Sequence, residues 1–188
     1  MKVIDLHTDL EQLIAKACKD NRRAQEQLYG MFSPKMLSVC RQFIKVTDRA
    51  EEVMLTGFYK AFKNLDQFNG SGSFEGWLRR IMSRECISYL RKEKKIYFED
   101  ESSIDATDQH AHYIETSLDL DHIQQLIDGL PDGYRIVFVM YAIEGYKHAE
   151  IAAHLNISES TSKSQLFKAR KMLQQQLKTL ISTSYGTP

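Results

Sequence analysis

Residues 68–95 contain a set of side chains that could bind single-stranded nucleic acid. The segment begins with a Gly/Ser turn, Asn69-Gly70-Ser71-Gly72-Ser73, and continues with apolar residues at helical spacing. On a helix that advances about 100° per residue, four side chains fall within an arc of about 60°. They are Trp77, Arg80, Arg84 and Arg91. Guanidinium groups match phosphates, and an exposed aromatic ring can stack on an unpaired base. The same spacing also allows Trp77 to pack in the core beside arginines that are merely solvated.

A second group of residues, from His148 to Leu177, has the spacing of a helix-turn-helix. Asn156 occupies the turn and tolerates left-handed backbone angles, while Ser158 is a good N-cap for the last helix. The outward and marginal positions of that helix carry hydroxyls, an amide and lysines but no carboxylate, as an electronegative DNA groove requires. The candidate DNA-binding residues are Ser160, Thr161, Lys163, Ser164, Gln165, Lys168 and Lys171. Ser162 falls on the inward face, where we expect its hydroxyl to bond back to the preceding turn.

Charge is unevenly distributed along the 188-residue chain, although its formal net charge is zero. Residues 79–95 hold seven Lys or Arg against two Glu, and residues 160–178 hold five Lys or Arg and no acid. Between them, residues 96–121 hold eight acids and no Lys or Arg. Two basic patches separated by an acidic segment fit a protein that binds nucleic acid at two places. An ordinary helical hairpin with a solvated face is the alternative for the second patch.

The elements that position these residues are predicted to be helices throughout. Proline is scarce, and no alternating β-branched runs are present. We predict an all-α fold of two small helical domains: a bundle over 1–95, an acidic linker over 96–118 and a helix-turn-helix domain over 119–183. Thr8 and Asp48, each followed three residues later by Glu, are predicted to open helices as capping boxes. Ser33-Pro34 predicts either a new helical turn or a kink.

The ordered motifs resemble those of bacterial RNA polymerase sigma factors of the extracytoplasmic-function group of the sigma-70 family. The similar segments are SPKMLSVCRQFI, DRAEEV, FKNLDQFNGSGSFEGWLRRIM, LPDGYRIVFVMYAIEGYKHAEIAAHLNIS and TSKSQLFKARKML. The resemblance implies a factor that binds core polymerase, recognises promoters and initiates transcription. Its first domain would bind the β′ clamp helices and read the −10 element, trapping a flipped base in the loop that holds Asn69, Ser71 and Ser73. Its second domain would read the −35 element, and the linker would run toward the active-site cleft.

One departure from the family pattern falls in the helix that the resemblance assigns to polymerase binding. The residues assigned to that contact are Glu51, Glu52, Leu55 and Thr56. The family usually has Gln followed by an acid where this chain has Leu55 and Thr56. The departure leaves open a titrating protein that has lost polymerase binding. A helix-turn-helix regulator with a sensor bundle is the other alternative, although a sensor has no need for a base-stacking, phosphate-binding face.

An enzyme is not expected, because no nucleophile, base or metal cluster converges in the sequence. His110 and His112 could bind a metal only weakly, so we expect no metal site, no cofactor and no small-molecule substrate. Three widely spaced cysteines are typical of buried thiols in a reducing cytoplasm. An acidic N-terminus and the absence of a long apolar run also favour a cytoplasmic protein. The expected partners are core polymerase (the β′ clamp helices and β subunit), promoter DNA and, as the family often has one, an anti-sigma factor. The free chain is expected to be a monomer.

Overall fold

A computed structural model describes residues 6–93 and 120–184, with side chains described over 10–93 and 122–179. Within these ranges the chain forms eight α-helices and no strand, which confirms the all-α prediction. The helices are α1 Leu6–Ala17, α2 Arg22–Phe43, α3 Thr47–Lys63, α4 Phe74–Lys92, α5 Leu120–Asp128, α6 Asp132–Phe138, α7 His148–Leu155 and α8 Glu159–Ser184. Two compact units divide after Tyr89. The predicted linker and the His110–His112 pair lie outside the described residues, and the predicted domain boundaries stay a prediction.

In the first unit, α2 continues through Pro34 without a new start. Proline removes a backbone donor and normally interrupts a helix. Here the buried residues on both sides of Pro34, including Phe32 and Met36, keep one helical spacing against α1 and α3. Burial of that continuous apolar face outweighs the cost of the proline. Asn21 is the N-cap of this helix, and its side-chain oxygen accepts a hydrogen bond from the Ala24 N–H at 3.1 Å.

Both predicted capping boxes in the first unit are wrong. Helix α1 begins at Leu6, so Thr8 lies inside the helix. Helix α3 begins at Thr47 after Val46, and Val46 makes no side-chain capping bond. Asp48 instead lies in the first turn of α3, where its charge favours the positive end of the helix dipole. The polar residues Thr8 and Asp48 therefore correctly indicated that helices begin nearby, but the predicted first residues of these helices were wrong.

Helix α4 packs into the bundle through an apolar face. Phe74, Leu78, Met82, Cys86 and Ile87 are all buried. The approach to α3 is close at Gly57, where a Cβ atom would lie 2.3 Å from the Met82 sulfur. Glycine at this position allows the fully buried Met82 to lie against α3. Of the cysteines, Cys40 and Cys86 are buried as predicted, whereas Cys18 is exposed.

In the second unit, α6 and α7 pack against α8, with α5 alongside. The core includes Leu130, Ile136, Ile151, Leu166 and Ala169, each at most 4% exposed. Helix α6 passes into a π-helical turn over Val139–Ile143, which the sequence did not predict. In neither described range is any helix both long and apolar enough to span a bilayer.

We expect Gly57→Ala to lower the free energy of unfolding by about 1–3 kcal/mol, the range for overpacking a tight core. The added methyl would occupy the space of the Met82 sulfur. Gly30→Ala is the matched control, since a Cβ at that exposed helical position meets no atom within 4 Å. The free energy of unfolding of that variant should rise by about 0.5–1 kcal/mol. Urea denaturation of both variants measures the difference, and equal effects would contradict a close contact at Gly57.

Candidate nucleic-acid interface

The turn before α4 is held by its own polar side chains. The Ser71 N–H donates to the Asn69 side-chain oxygen at 3.0 Å, and the Gly76 N–H donates to Ser73 Oγ at 3.0 Å. Gly70 and Gly72 adopt positive φ angles of 76° and 85°, which other residues rarely adopt. The predicted residues Asn69, Ser71 and Ser73 are all exposed. The turn therefore presents polar groups to solvent while it caps the first turn of α4.

Trp77 is half-buried, so neither of the two sequence interpretations describes it completely. Its ring lies 5.7 Å from the Phe74 ring in a stacked arrangement and 5.7 Å from the Phe68 ring at a tilt. Phe74 in turn contacts Phe32 of α2 edge-on at 5.2 Å. Trp77 thus rests on an aromatic cluster and still exposes part of its indole to solvent.

The arginines predicted to share a face with Trp77 are exposed. Arg80, Arg84 and Arg91 all reach solvent along α4. The two acids of α4, Glu75 and Glu85, pair with lysines of other helices instead of with these arginines. We call the face formed by Trp77, Arg80, Ile81, Arg84, Ser88 and Arg91 the α4 arginine face. It contains no carboxylate, so its electrostatic character suits a polyanion.

The four residues assigned to polymerase binding lie on the exposed side of α3. Glu52 pairs with Arg49 at 2.8 Å, and the Thr56 hydroxyl donates to the Glu52 carbonyl at 3.0 Å. Leu55 is 53% exposed, and Tyr59, one turn later, is 60% exposed. Tyr59 was not among the predicted residues, although its spacing of four residues from Leu55 places both on one face. A hydrogen bond with Tyr59 raises the pKa of Lys63 above its ordinary value.

A groove between α2 and α3 adjoins this face. Its volume is about 410 Å³. The lining residues are Tyr29, Ser33, Pro34, Leu37, Glu51, Met54 and Leu55. Leu55 and Glu51 belong both to the groove and to the residues assigned to polymerase binding. The apolar surface that Leu55 provides therefore continues between the helices rather than ending at a single side chain.

The turn of the helix-turn-helix matches its prediction. Asn156 is left-handed, with φ 56° and ψ 49°. Ser158 Oγ accepts a hydrogen bond from the Thr161 N–H at 3.0 Å, which confirms Ser158 as the N-cap of α8. The hydroxyls of Ser160 and Thr161 lie 2.7 and 2.8 Å from the same oxygen. The first turn of α8 therefore begins with a cluster of hydrogen-bonded hydroxyls.

Two of the residues predicted to face DNA are buried. The Ser164 hydroxyl donates to the Thr161 carbonyl at 3.0 Å, so it is used by the helix backbone. Gln165 is 1% exposed because it lies on the line of buried positions that joins Ser162 to Ala169. Lys163 and Lys171 are exposed as predicted.

Two further side chains of the predicted set lie at intermediate depth. Lys168 is half-buried, with its ammonium 6.0 Å from the centre of the Tyr134 ring. Thr161 is also half-buried, and its hydroxyl belongs to the cluster around Ser158. Both remain partly accessible on the α8 surface.

Ser162 is buried as predicted, but the expected bond to the preceding turn is wrong. Its Oγ lies 2.8 Å from Nδ1 of His148 on α7. The His148 ring also stacks on Tyr141 at 4.6 Å. The hydroxyl therefore joins the two helices of the helix-turn-helix. Single-helix periodicity could not reveal this contact, because it depends on the angle between α7 and α8.

Two family models match the chain in the expected order: sigma-70 region 2 over 28–96 and sigma-70 region 4 over 120–173. The chain is 28% identical over 188 residues to the ECF RNA polymerase sigma factor SigW of Bacillus subtilis, covering 91% of this chain and 100% of that protein. It is 22% identical over 184 residues to the ECF RNA polymerase sigma-E factor of Haemophilus influenzae, covering 91% and 96%.

The chain belongs to the extracytoplasmic-function group of sigma-70 factors. As a sigma factor it binds core RNA polymerase and promoter DNA, initiates transcription and is not an enzyme. The fold also resembles that in the co-crystal structure of the sigma factor RpoE with the anti-sigma factor NepR from Bartonella quintana. That match has a TM-score of 0.52 at 24% identity and covers 81% of this chain and 96% of that one. None of these matches supports the regulator or titration alternatives.

In this sigma factor, we expect Ser162→Ala to lower the free energy of unfolding of the helix-turn-helix unit by about 0.5–1.5 kcal/mol, because it removes the hydrogen bond to His148. Lys163→Ala, at the adjacent exposed position, is the control. It should change the free energy of unfolding by less than about 0.5 kcal/mol. Thermal denaturation followed by circular dichroism compares the two. Equal stability of Ser162→Ala and the original chain would mean that the bond contributes nothing to the packing of α7 on α8.

Proposed function

We propose that the α4 arginine face and the turn over 69–73 bind the unpaired strand of the −10 element. The observation that carries this assignment is the composition of that face: a half-exposed Trp77 on an aromatic cluster, with exposed arginines and no carboxylate. A base extruded from the duplex loses its stacking partners, and an aromatic side chain can replace them. Arginines along the helix would hold the phosphates of the same strand. Asn69, Ser71 and Ser73 would supply polar contacts to the flipped base.

The N-terminal part of α8 is proposed to read the −35 element in the major groove. Its accessible polar residues are Ser160, Thr161, Lys163 and Lys171, with Lys168 partly accessible. Short hydroxyls can approach base edges, while lysines pair with phosphates and fix the register of the helix. Ser164 and Gln165 leave the proposed contact set because both are buried. The division of roles between the units follows the predicted domains, 1–95 and 119–183.

The exposed side of α3 is proposed as the docking surface for the β′ clamp helices. Leu55 and Tyr59 expose apolar area one turn apart, and the α2–α3 groove continues that surface. Burial of exposed apolar and aromatic side chains supplies most of the energy of a typical interface. Leu55 would thus replace a polar contact with an apolar one, and docking would be retained. Glu51 and Glu52 would form the charged rim of the surface.

The location and the regulation of the protein are proposed from its membership of the sigma factor family and from a related complex. A factor that acts on core polymerase would work in the cytoplasm, where transcription occurs. The β subunit is the other proposed contact on core polymerase. The complex of the related sigma factor RpoE with the anti-sigma factor NepR supports an anti-sigma protein as a further partner.

Run-off transcription with purified core polymerase tests the function directly. The template is DNA from upstream of the chain's own gene, assayed with and without the factor. A discrete transcript that requires the chain is the expected result. If no transcript forms, a pull-down against core polymerase distinguishes an unsuitable promoter from failed docking.

We expect Trp77→Ala combined with Arg84→Ala to lower the rate of open-complex formation by at least about tenfold, because base stacking contributes about 1–3 kcal/mol per base. Binding of the second unit to a −35 duplex should be unchanged. Permanganate footprinting measures melting, and gel-shift titration of the −35 duplex is the control. Loss of both activities to the same extent would contradict the separate roles of the two units.

We also expect Leu55→Ala and Tyr59→Ala each to weaken core polymerase binding by about tenfold, as truncated interface anchors do. Met31→Ala is the matched control, because Met31 is equally exposed but lies on α2 in the groove toward α1. Competition for core polymerase against the labelled original chain gives the affinities. A similar loss in all three variants would argue against a localised docking surface on α3.

A further inference from the structure

Both carboxylates of α4 are paired with lysines that come from other helices. Lys35 Nζ of α2 lies 2.7 Å from Glu75 Oε2, and Lys60 Nζ of α3 lies 2.7 Å from Glu85 Oε2. The sequence of α4 contains no other acid. Each lysine therefore cancels a negative charge on the same helix that carries the arginine face.

The two pairs differ in their position on the helix. At about 100° per residue, Glu75 lies about 160° from Trp77, on the side away from the arginine face. Glu85 lies about 80° from Trp77 and about 40° from Ile81, at the edge of that face. The Glu85 side chain is 14% exposed and that of Glu75 is 32% exposed. Lys60 thus holds the Glu85 carboxylate against the bundle, at the border of the arginine face.

We propose that Lys60 is a positioning residue for binding of the unpaired −10 strand, which acts by neutralising Glu85 and holding it off the arginine face. The inference rests on the proposed function of that face. Without Lys60, the Glu85 carboxylate would be partly desolvated and without this cation, which is unfavourable. It would turn toward solvent beside Ile81, at the edge of the arginine face. That orientation places a negative charge at the border of the cations that are proposed to meet DNA phosphates.

A structural role alone predicts a different result from a charge-neutralising role. If Lys60 only attached α3 to α4, removing both Lys60 and Glu85 would leave α4 without this attachment, and probe binding would stay weak. If Lys60 cancels the Glu85 charge, removing both partners restores the electrostatics of the arginine face. If Lys60 itself contacts a phosphate, neutralising Glu85 cannot recover the lost contact. The double variant therefore distinguishes the proposed role from both others.

The experiment measures equilibrium binding of holoenzyme to a fluorescent forked probe whose −10 segment is single-stranded, carrying the promoter located by run-off transcription. Core polymerase is saturated with each variant of the full chain, so that docking differences do not contribute. The variants are Lys60→Met, Glu85→Gln, the double Lys60→Met/Glu85→Gln, Lys60→Arg and Lys35→Met. Titrations at about 50 mM and about 200 mM salt give the salt dependence, and thermal denaturation of each free chain reports its stability.

We expect Lys60→Met to weaken probe binding about three- to tenfold at low salt and less at high salt, because salt screens the added charge. The double variant should return to within about twofold of the original chain, and Lys60→Arg should retain affinity. Lys35→Met, the matched control on the far side of α4, should change affinity by less than about twofold.

A double variant as weak as Lys60→Met would overturn the proposal, as would equal losses for Lys35→Met and Lys60→Met. Unchanged binding by every variant, with an original chain that binds, would also overturn it while leaving the proposed function intact. An original holoenzyme that transcribes from the promoter but fails to bind the forked probe would instead remove the −10 assignment on which the inference rests.

Discussion

The packing of Phe74 fixes the position of α4, and the proposed −10 surface depends on it. This buried ring contacts Phe32 of α2, Phe68 before the turn and Trp77 on its own helix. One side chain thereby joins the bundle, the Gly/Ser turn and the half-exposed indole. Aromatic pairs of this kind add about 0.5–1.5 kcal/mol each beyond the area they bury. A shift of Phe74 would move the turn and Trp77 together.

Electrostatics then determine what that surface can bind. A chain with no net charge can still present a cationic face, provided its acids are held elsewhere. Lysines of α2 and α3 perform this task for the acids of α4. Such ion pairs contribute little to stability when exposed. The effect of the ion pairs on the charge of a neighbouring face is separate from their effect on stability, so stability measurements alone would not reveal it.

The helix-turn-helix unit shows how the recognition helix is supported. The Ser158 hydroxyl caps the start of α8. The Ser162 hydroxyl, one turn later, is hydrogen-bonded to His148 and so attaches α8 to α7. The accessible polar residues of α8 consequently depend on serines that are not themselves proposed to touch DNA. The set of residues left for the −35 element is smaller than the polar composition of α8 suggests, because Ser164 and Gln165 are buried.

The sequence by itself determined the family, the all-α fold and the turn chemistry of Asn156 and Ser158. The family follows from motifs that resemble those of the family in the same order. The fold and the turn follow from local spacing and from backbone preferences that short segments already specify. It also identified the exposed arginines of α4, since helical periodicity alone places them together.

Only the tertiary structure decided the depth of Trp77, the continuity of α2 through Pro34 and the burial of Gln165. It also revealed the lysine partners of Glu75 and Glu85, which lie 40 and 25 residues away along the chain. Each of these features depends on which helix packs against which, and at what rotation. Periodicity assigns a residue to a face of its own helix, but it does not specify the side chains that another helix brings to that face.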